Sequence, residues 1–276
     1  MFIRKVIKGQ IVVAVLVFGI TAAGMPTRGQ AFLNGDPLGG VTTVELARPN
    51  ASGEEIFAEL VKQNERRNVA LREYSAERTY AVTNLQGKVH AREIVRMEYI
   101  APDTKTFVKT SEEGSKLIRH MVLNRLMDSE SSAAAGKDHH DSAITPANYI
   151  FTLLGEEQVG AHHCYVVEAL PKRKDKYLFA GKVWIDSRDF AVVRIAGHPA
   201  KELSFWITRA DFVRQYEKVG DFWLPFKDET FVDVKMYGKK IFTIEHRIAT
   251  VNGANTAAPV AQAPNAVLTS ASPKSD

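Results

Sequence analysis

The sequence predicts an α+β fold: a strongly curved antiparallel sheet, or half-open β-barrel, of about ten strands with two helices as its lid. Three observations carry this expectation. Residues 148–250 alternate apolar and polar side chains almost without interruption, which is the period of half-buried strands. Short polar turns such as Ser187–Arg188, Gly220–Asp221 and Gly238–Lys239 join them. Links of hairpin length exclude a parallel sheet, which needs long crossovers. Only two segments show helical spacing, too little to cover so long a sheet.

The chain opens with Arg4, Lys5 and Lys8, then the apolar run Ile11–Ile20, then the small residues Ala22, Ala23 and Gly24. This is the layout of a cleaved secretory signal peptide over 1–31, with cleavage after Ala23 or Ala31, and it places the protein in the periplasm. The sole cysteine, Cys164, lies far from that region, so no lipid-accepting cysteine follows the signal. It also excludes an internal disulfide. The formal net charge of +4 resides in Arg4, Lys5, Lys8 and Arg28, so the exported chain is close to neutral. The basic balance therefore does not indicate nucleic acid.

Residues 32–51 read as a flexible leader, 52–250 as a single domain and 251–276 as a disordered tail rich in Ala, Pro, Ser and Asn. Ser52 and Glu55 have capping-box spacing, and Ile56, Phe57, Leu60 and Val61 form one stripe, predicting a helix over 53–69. Strands follow at 71–83, 88–100 and 104–110. Ile118, Met121, Val122 and Leu126 recur at helical spacing and predict a second helix over 115–128. Residues 128–143 lack hydrophobic periodicity and read as a mobile loop. Seven further strands are expected at 148–157, 162–170, 177–186, 189–197, 204–217, 222–237 and 240–250.

Chemistry-bearing motifs are sparse. Asp138–His139–His140–Asp141 and His162–His163–Cys164 contain residue types that zinc accepts. On a strand His162 and Cys164 face one way and His163 the other, so those three do not converge. No Gly-x-Ser-x-Gly elbow or phosphate-cradling Gly-rich loop is present. Carboxylate pairs such as Glu112–Glu113 and Glu156–Glu157 sit beside turns with their side chains on opposite faces. The expectation is a protein without catalytic residues, metal or cofactor. The basic run Lys172, Arg173, Lys174 and Lys176 reads as a solvated hairpin loop or as a contact for an anionic membrane or an acidic partner.

Aromatic residues crowd the last third of the chain. A filled core is the ordinary reading, but a curved sheet with little cover leaves a pocket lined by such side chains. The candidates for that cavity are Trp184, Phe205, Trp206, Phe212, Tyr216, Trp223, Phe231 and Met236.

Several stretches carry a resemblance: Cys164–Lys172, Gly181–Asp186 (Gly-Lys-Val-Trp-Ile-Asp), Asp189–Ile195, Phe205–Ile207 and Phe222–Pro225. Through them the chain resembles the superfamily of periplasmic lipoprotein-sorting proteins, to which the outer-membrane lipoprotein carrier and its receptor belong. That resemblance implies an unclosed barrel with a helical lid over an apolar cavity that receives acyl chains. The expected function is periplasmic binding or carriage of a lipid or lipoprotein acyl chain, with inner- or outer-membrane transport proteins as partners. The alternatives are an envelope sensor or interaction module on the same fold, and a metal-dependent hydrolase using Asp138–Asp141.

Overall fold

The computed structural model describes residues 51–102, 104–134, 144–175, 177–201, 205 and 207–256. Helix α1, Gly53–Ala70, starts where its capping box predicts. Ser52 Oγ accepts from the Glu55 amide at 3.2 Å, and Glu55 Oε2 accepts from the Ser52 amide at 2.7 Å, so two orphan donors of the first turn are satisfied reciprocally. The stripe Ile56, Phe57 and Leu60 is buried.

Three strands follow: β1 (Glu73–Asn84), β2 (Val89–Ile100) and β3 (Thr104–Gly114). Next come a one-turn α2 (Lys116–Ile118), a π-helical turn (Arg119–Leu123) and α3 (Asn124–Ala134). Seven strands complete the sheet: β4 (Tyr149–Val159), β5 (His162–Pro171), β6 (Phe179–Asp186), β7 (Val192–Pro199), β8 (Ile207–Val219), β9 (Phe222–Val234) and β10 (Gly238–Val251). A two-residue β11 (Ala254–Asn255) pairs with β10.

The sheet runs β3-β2-β1-β10-β9-β8-β7-β6-β5-β4, and every pairing is antiparallel. The predicted half-open barrel is the fold observed: β3 and β4 stand at opposite ends of the order, so the sheet does not close on itself. The β1–β10 pairing joins the first hairpin to the last strand, with Tyr80 opposite Ile244 and Arg78 opposite His246.

Two expectations are corrected. Asp128–Ala134, read as the start of a loop, continues the second helix. Its anchor is polar: Glu130 is buried in an ion pair, a signal that hydrophobic spacing does not carry. Residues 251–256, read as tail, are held to the sheet. Asn252 Oδ1 accepts from the Arg72 and Glu73 amides, its Nδ2 donates to the Ala70 carbonyl, and so it ties the α1–β1 corner to β10.

Long edge strands invite unwanted pairing unless covered. Edge strand β4 is covered by the start of α1, whose Glu54 Oε1 accepts from the Phe151 amide at 3.3 Å. Gly53 sits so close that a Cβ there would lie 2.7 Å from Leu153 N and 2.9 Å from Phe151 O. Farther along, Phe57 stacks on Phe151 with ring centroids 3.8 Å apart. Gly53→Ala is expected to lower the unfolding free energy by about 1–3 kcal/mol, the usual cost of overpacking, read as a lower urea midpoint at unchanged slope.

Candidate ligand groove between the helices

Strand alternation sends one set of side chains toward the helices and the other toward the opposite, open face. Helix α1 packs on β4 and β5, and α3 packs on β3. Two apolar wells result. Under α1, Ile56, Phe57 and Leu60 meet Tyr149, Tyr165 and Phe212 among others. Under α3 and the π turn, Leu123, Leu126 and Met127 meet Tyr80, Val95, Phe242 and Ile244.

Between the wells runs β9. Its covered-face row, Asp228, Thr230, Val232 and Val234, is only half-buried among the described residues. This row pairs with Arg214, Phe212 and Ala210 of β8 on one side, and Asp228 and Thr230 pair with Ile244 and Phe242 of β10 on the other. The candidate groove along this row is apolar on its β8 side toward the β9–β10 turn, with Lys240 opposite Val232 on the β10 side, and charged toward the opposite end. A separate cleft of about 330 Å³ lies between the end of β7 and the start of β8, lined by His198, Lys201, Ile207, Arg209 and Asp211 among others.

The charged half is built from buried groups. Arg78 on β1 donates from Nη1 to Glu130 Oε2 on α3 at 2.7 Å, and Lys105 Nζ lies 3.5 Å from the same oxygen. Burial alone pushes the Glu130 carboxyl upward, but Arg78 and Lys105 outweigh it and hold the group at about 2. On β10, His246 Nε2 lies 3.3 Å from Asp228 Oδ2, and Arg214 Nε lies 3.7 Å from Asp228 Oδ1. Burial and the neighbouring Arg78 lower the His246 pKa and favour the neutral ring. A proton on Nε2 for Asp228 leaves Nδ1 a bare acceptor. Among the described residues, His246 Nδ1 and Arg78 Nε are buried without hydrogen-bond partners. Such groups cost free energy unless something polar reaches them.

The predicted cavity residues scatter over both faces. Phe212 and Tyr216 belong to the helix-covered core, with Phe212 edge-on to Phe179 at 5.6 Å. Trp184 and Trp223 lie on the open face with Cys164, Val166 and Val193. There Trp184 Nε1 donates to Glu157 and Trp223 Nε1 donates to Asp189, while Arg194 stacks on the Trp184 ring at 4.9 Å. Phe231 pairs with Asp211 and Ile241, on the face opposite Thr230 and Phe242. Phe205 and Met236 are exposed at the barrel rim. Trp206 lies outside the described residues. Trp184, Trp223 and Phe231 thus lie on the face opposite the helices. Both faces of these strands carry apolar residues, so alternation alone does not say which face the helices cover. The groove residues that sequence reasoning missed are Arg78, Asp228, Arg214 and His246. A charged residue at an inward position of an alternating strand was the available signal.

His162 and His163 point apart, as strand alternation requires: His162 Nδ1 meets Asp186 Oδ2 at 2.9 Å, and His163 Nε2 meets Glu156 Oε2 at 3.2 Å. Burial, with Asp186 and Glu157 nearby, pushes the Cys164 thiol up to about 12, so it is an inert core group. Asp138–Asp141 lies outside the described residues. In the basic loop, Lys172 Nζ donates to the Pro146 carbonyl and Arg173 Nη1 to Asn148 Oδ1. Lys174 is exposed, and Lys176 lies outside the described residues.

A family model described only as that of an uncharacterised protein matches residues 115–248. No curated protein matches the chain. The chain is similar to a structure described as an outer membrane lipoprotein-sorting protein domain from Vibrio parahaemolyticus, at 11% identity over 77% of this chain and 94% of that one, with a TM-score of 0.42. It is also similar to a DUF1329-family protein from Desulfovibrio piger, at 13% identity over 70% and 90% of the two chains, TM-score 0.35. A LolA-superfamily protein from Nitrosomonas europaea aligns at 8% identity over 71% and 92%, TM-score 0.34.

Glu130→Gln leaves Arg78 buried opposite a neutral amide and is expected to cost about 3 kcal/mol of stability near neutral pH. Because the folded carboxyl is depressed, its contribution is complete above about 4.5 and is lost as pH falls toward about 2. Denaturant titrations across that window should show this loss in the wild type and not in the variant.

Proposed function

We propose that this protein is a periplasmic binding or carrier protein that takes up an apolar chain, a lipid or lipoprotein acyl group, in the groove between α1 and α3. The observation that supports the reading best is the half-open row Thr230, Val232 and Val234, with an apolar well on each side of it. A chain laid along that row exchanges water for apolar contact on three sides. Each buried CH₂ contributes about 0.8 kcal/mol, so a chain of about fourteen carbons supplies roughly 10 kcal/mol before ordering costs.

The unpartnered Arg78 Nε and His246 Nδ1 at the inner end suit a ligand whose chain ends in a polar group offering both an acceptor and a donor. The two helices differ in how they are held. Glu54 bonds the Phe151 amide at the start of α1, and near its end Arg67 donates to the Asp189 and Phe190 carbonyls, both at 2.8 Å. Between these ties Phe57 stacks on Phe151. Helix α3 rests on Leu126, Met127 and the Glu130 ion pair. In this reading α1 is a fixed wall and α3 is the lid that yields when a longer chain enters. The role is binding rather than catalysis, with membrane-associated transport proteins as the class of partner. The presence of an export signal at 1–31 remains part of the proposal and is tested by N-terminal sequencing of the protein recovered from the periplasm.

Val232→Trp fills the floor of the groove next to Phe212 and Phe242. It is expected to weaken binding of a fluorescent long-chain fatty acid at least tenfold, or about 1.4 kcal/mol, at an unchanged unfolding midpoint. Native mass spectrometry of the wild type should show a co-purified lipid. Undiminished probe binding by the tryptophan variant would overturn the reading.

A further inference from the structure

The groove does not explain the rim where β9 ends and β10 begins. Three apolar side chains stand in solvent there: Phe205 is 74% exposed, Met236 91% and Tyr237 62%. They form one patch, since Lys235 Nζ sits 3.6 Å from the centre of the Phe205 ring and Met236 and Tyr237 follow it in the same turn. Met236 has a φ of 66°, a left-handed conformation that Asn or Gly adopts at less cost. A bulky apolar residue held there, and left almost wholly in water, gives up folding free energy for little burial in return. Such local conflicts concentrate where a protein meets something else.

The surrounding charge says what that something is. Lys235, Lys239 and Lys240 flank the apolar tip, and Lys201 follows β7 at the same rim. Antiparallel topology also brings the turns at 84–88 and 171–175 to this rim, adding Lys88 and the Lys172–Lys174 run. In the described residues of these turns Asp175 is the only acidic side chain. The connections of the opposite rim, at 71–72, 160–161, 187–191, 220–221 and 252–253, carry Asp189 and Asp221 against Arg72 and Arg188. Among the described turn residues, one rim is thus basic with an apolar tip, and the other is balanced in charge.

We propose that the β9–β10 rim docks on a bilayer surface containing anionic phospholipid. Phe205, Met236 and Tyr237 enter the headgroup layer, and the lysines lie against the phosphates with their stems along the apolar side chains. The apolar half of the groove opens toward the same rim, so a docked molecule presents its groove to the lipid. Docking does not depend on the groove holding a chain, and vesicle binding and fatty-acid binding are separate measurements.

The test is co-sedimentation of the purified protein with vesicles of phosphatidylethanolamine plus phosphatidylglycerol, against vesicles of phosphatidylcholine alone. Binding is expected only to the anionic vesicles, and it should weaken as salt rises and screens beyond about 8 Å. Lys235→Glu/Lys239→Glu should reduce the partition coefficient by on the order of thirtyfold or more. Phe205→Ser/Met236→Asn/Tyr237→Ser should reduce it independently. Both variants change rim positions outside the apolar wells and should keep the wild-type melting temperature and fatty-acid binding. A wild type that stays in the supernatant, that sediments equally with phosphatidylcholine, or whose lysine variant binds unchanged would overturn the proposal.

Discussion

An unclosed sheet of ten long strands turns more surface inward than two short helices can cover, and the rest of the molecule is arranged around that shortage. The helices sit toward opposite ends of the strand order, α1 over β4–β5 and α3 over β3. Each completes an apolar well of its own. The main contacts of α1 and α3 fall on β3, β4 and β5, and the inward row of the middle strand β9 is half-buried among the described residues. A groove is therefore a consequence of where the two helices fall, without any special loop to shape it.

Charge appears where cover runs out. Arg78, Glu130, His246 and Arg214 are all buried on the inward side, and burying them is costly unless they are paired. Arg78 and Glu130 are paired across the sheet–helix boundary, which ties α3 to β1. His246 and Asp228 are paired within the sheet. Two of the incompletely bonded side chains, Arg78 and His246, face each other across the β1–β10 pairing. An apolar trough with unsatisfied polar atoms at one end suits an amphipathic guest better than a purely hydrocarbon one.

Much of the architecture was legible in the sequence because strand alternation and turn chemistry are local. The capping box of Ser52 and Glu55 placed the start of α1, and Gly220–Asp221 marked the β8–β9 hairpin. The last turn falls at Lys235–Tyr237, ahead of the expected Gly238–Lys239, which begin β10. What failed was non-local. Nothing near Trp184 or Trp223 says that helices cover the other face of their strands, because Val166 and Val193 make the open face apolar as well. The end of α3 was missed because its anchor is a carboxylate whose cation lies in β1. Asn252 reads as the beginning of a tail until its bonds to Ala70, Arg72 and Glu73 are seen. Inward-pointing Arg78, Arg214 and His246 were readable in principle as breaks in alternation, and they mark the groove better than the aromatic residues do.

The central claim is that an acyl chain lies along β9 between the helices. Photo-crosslinking with a diazirine-bearing fatty acid, followed by peptide mapping, tests it most directly. The account predicts adducts on Thr230, Val232 and Phe242, with few on the open-face residues Trp184 and Trp223. Adducts confined to the open face, or no adduct at saturating probe, would contradict it.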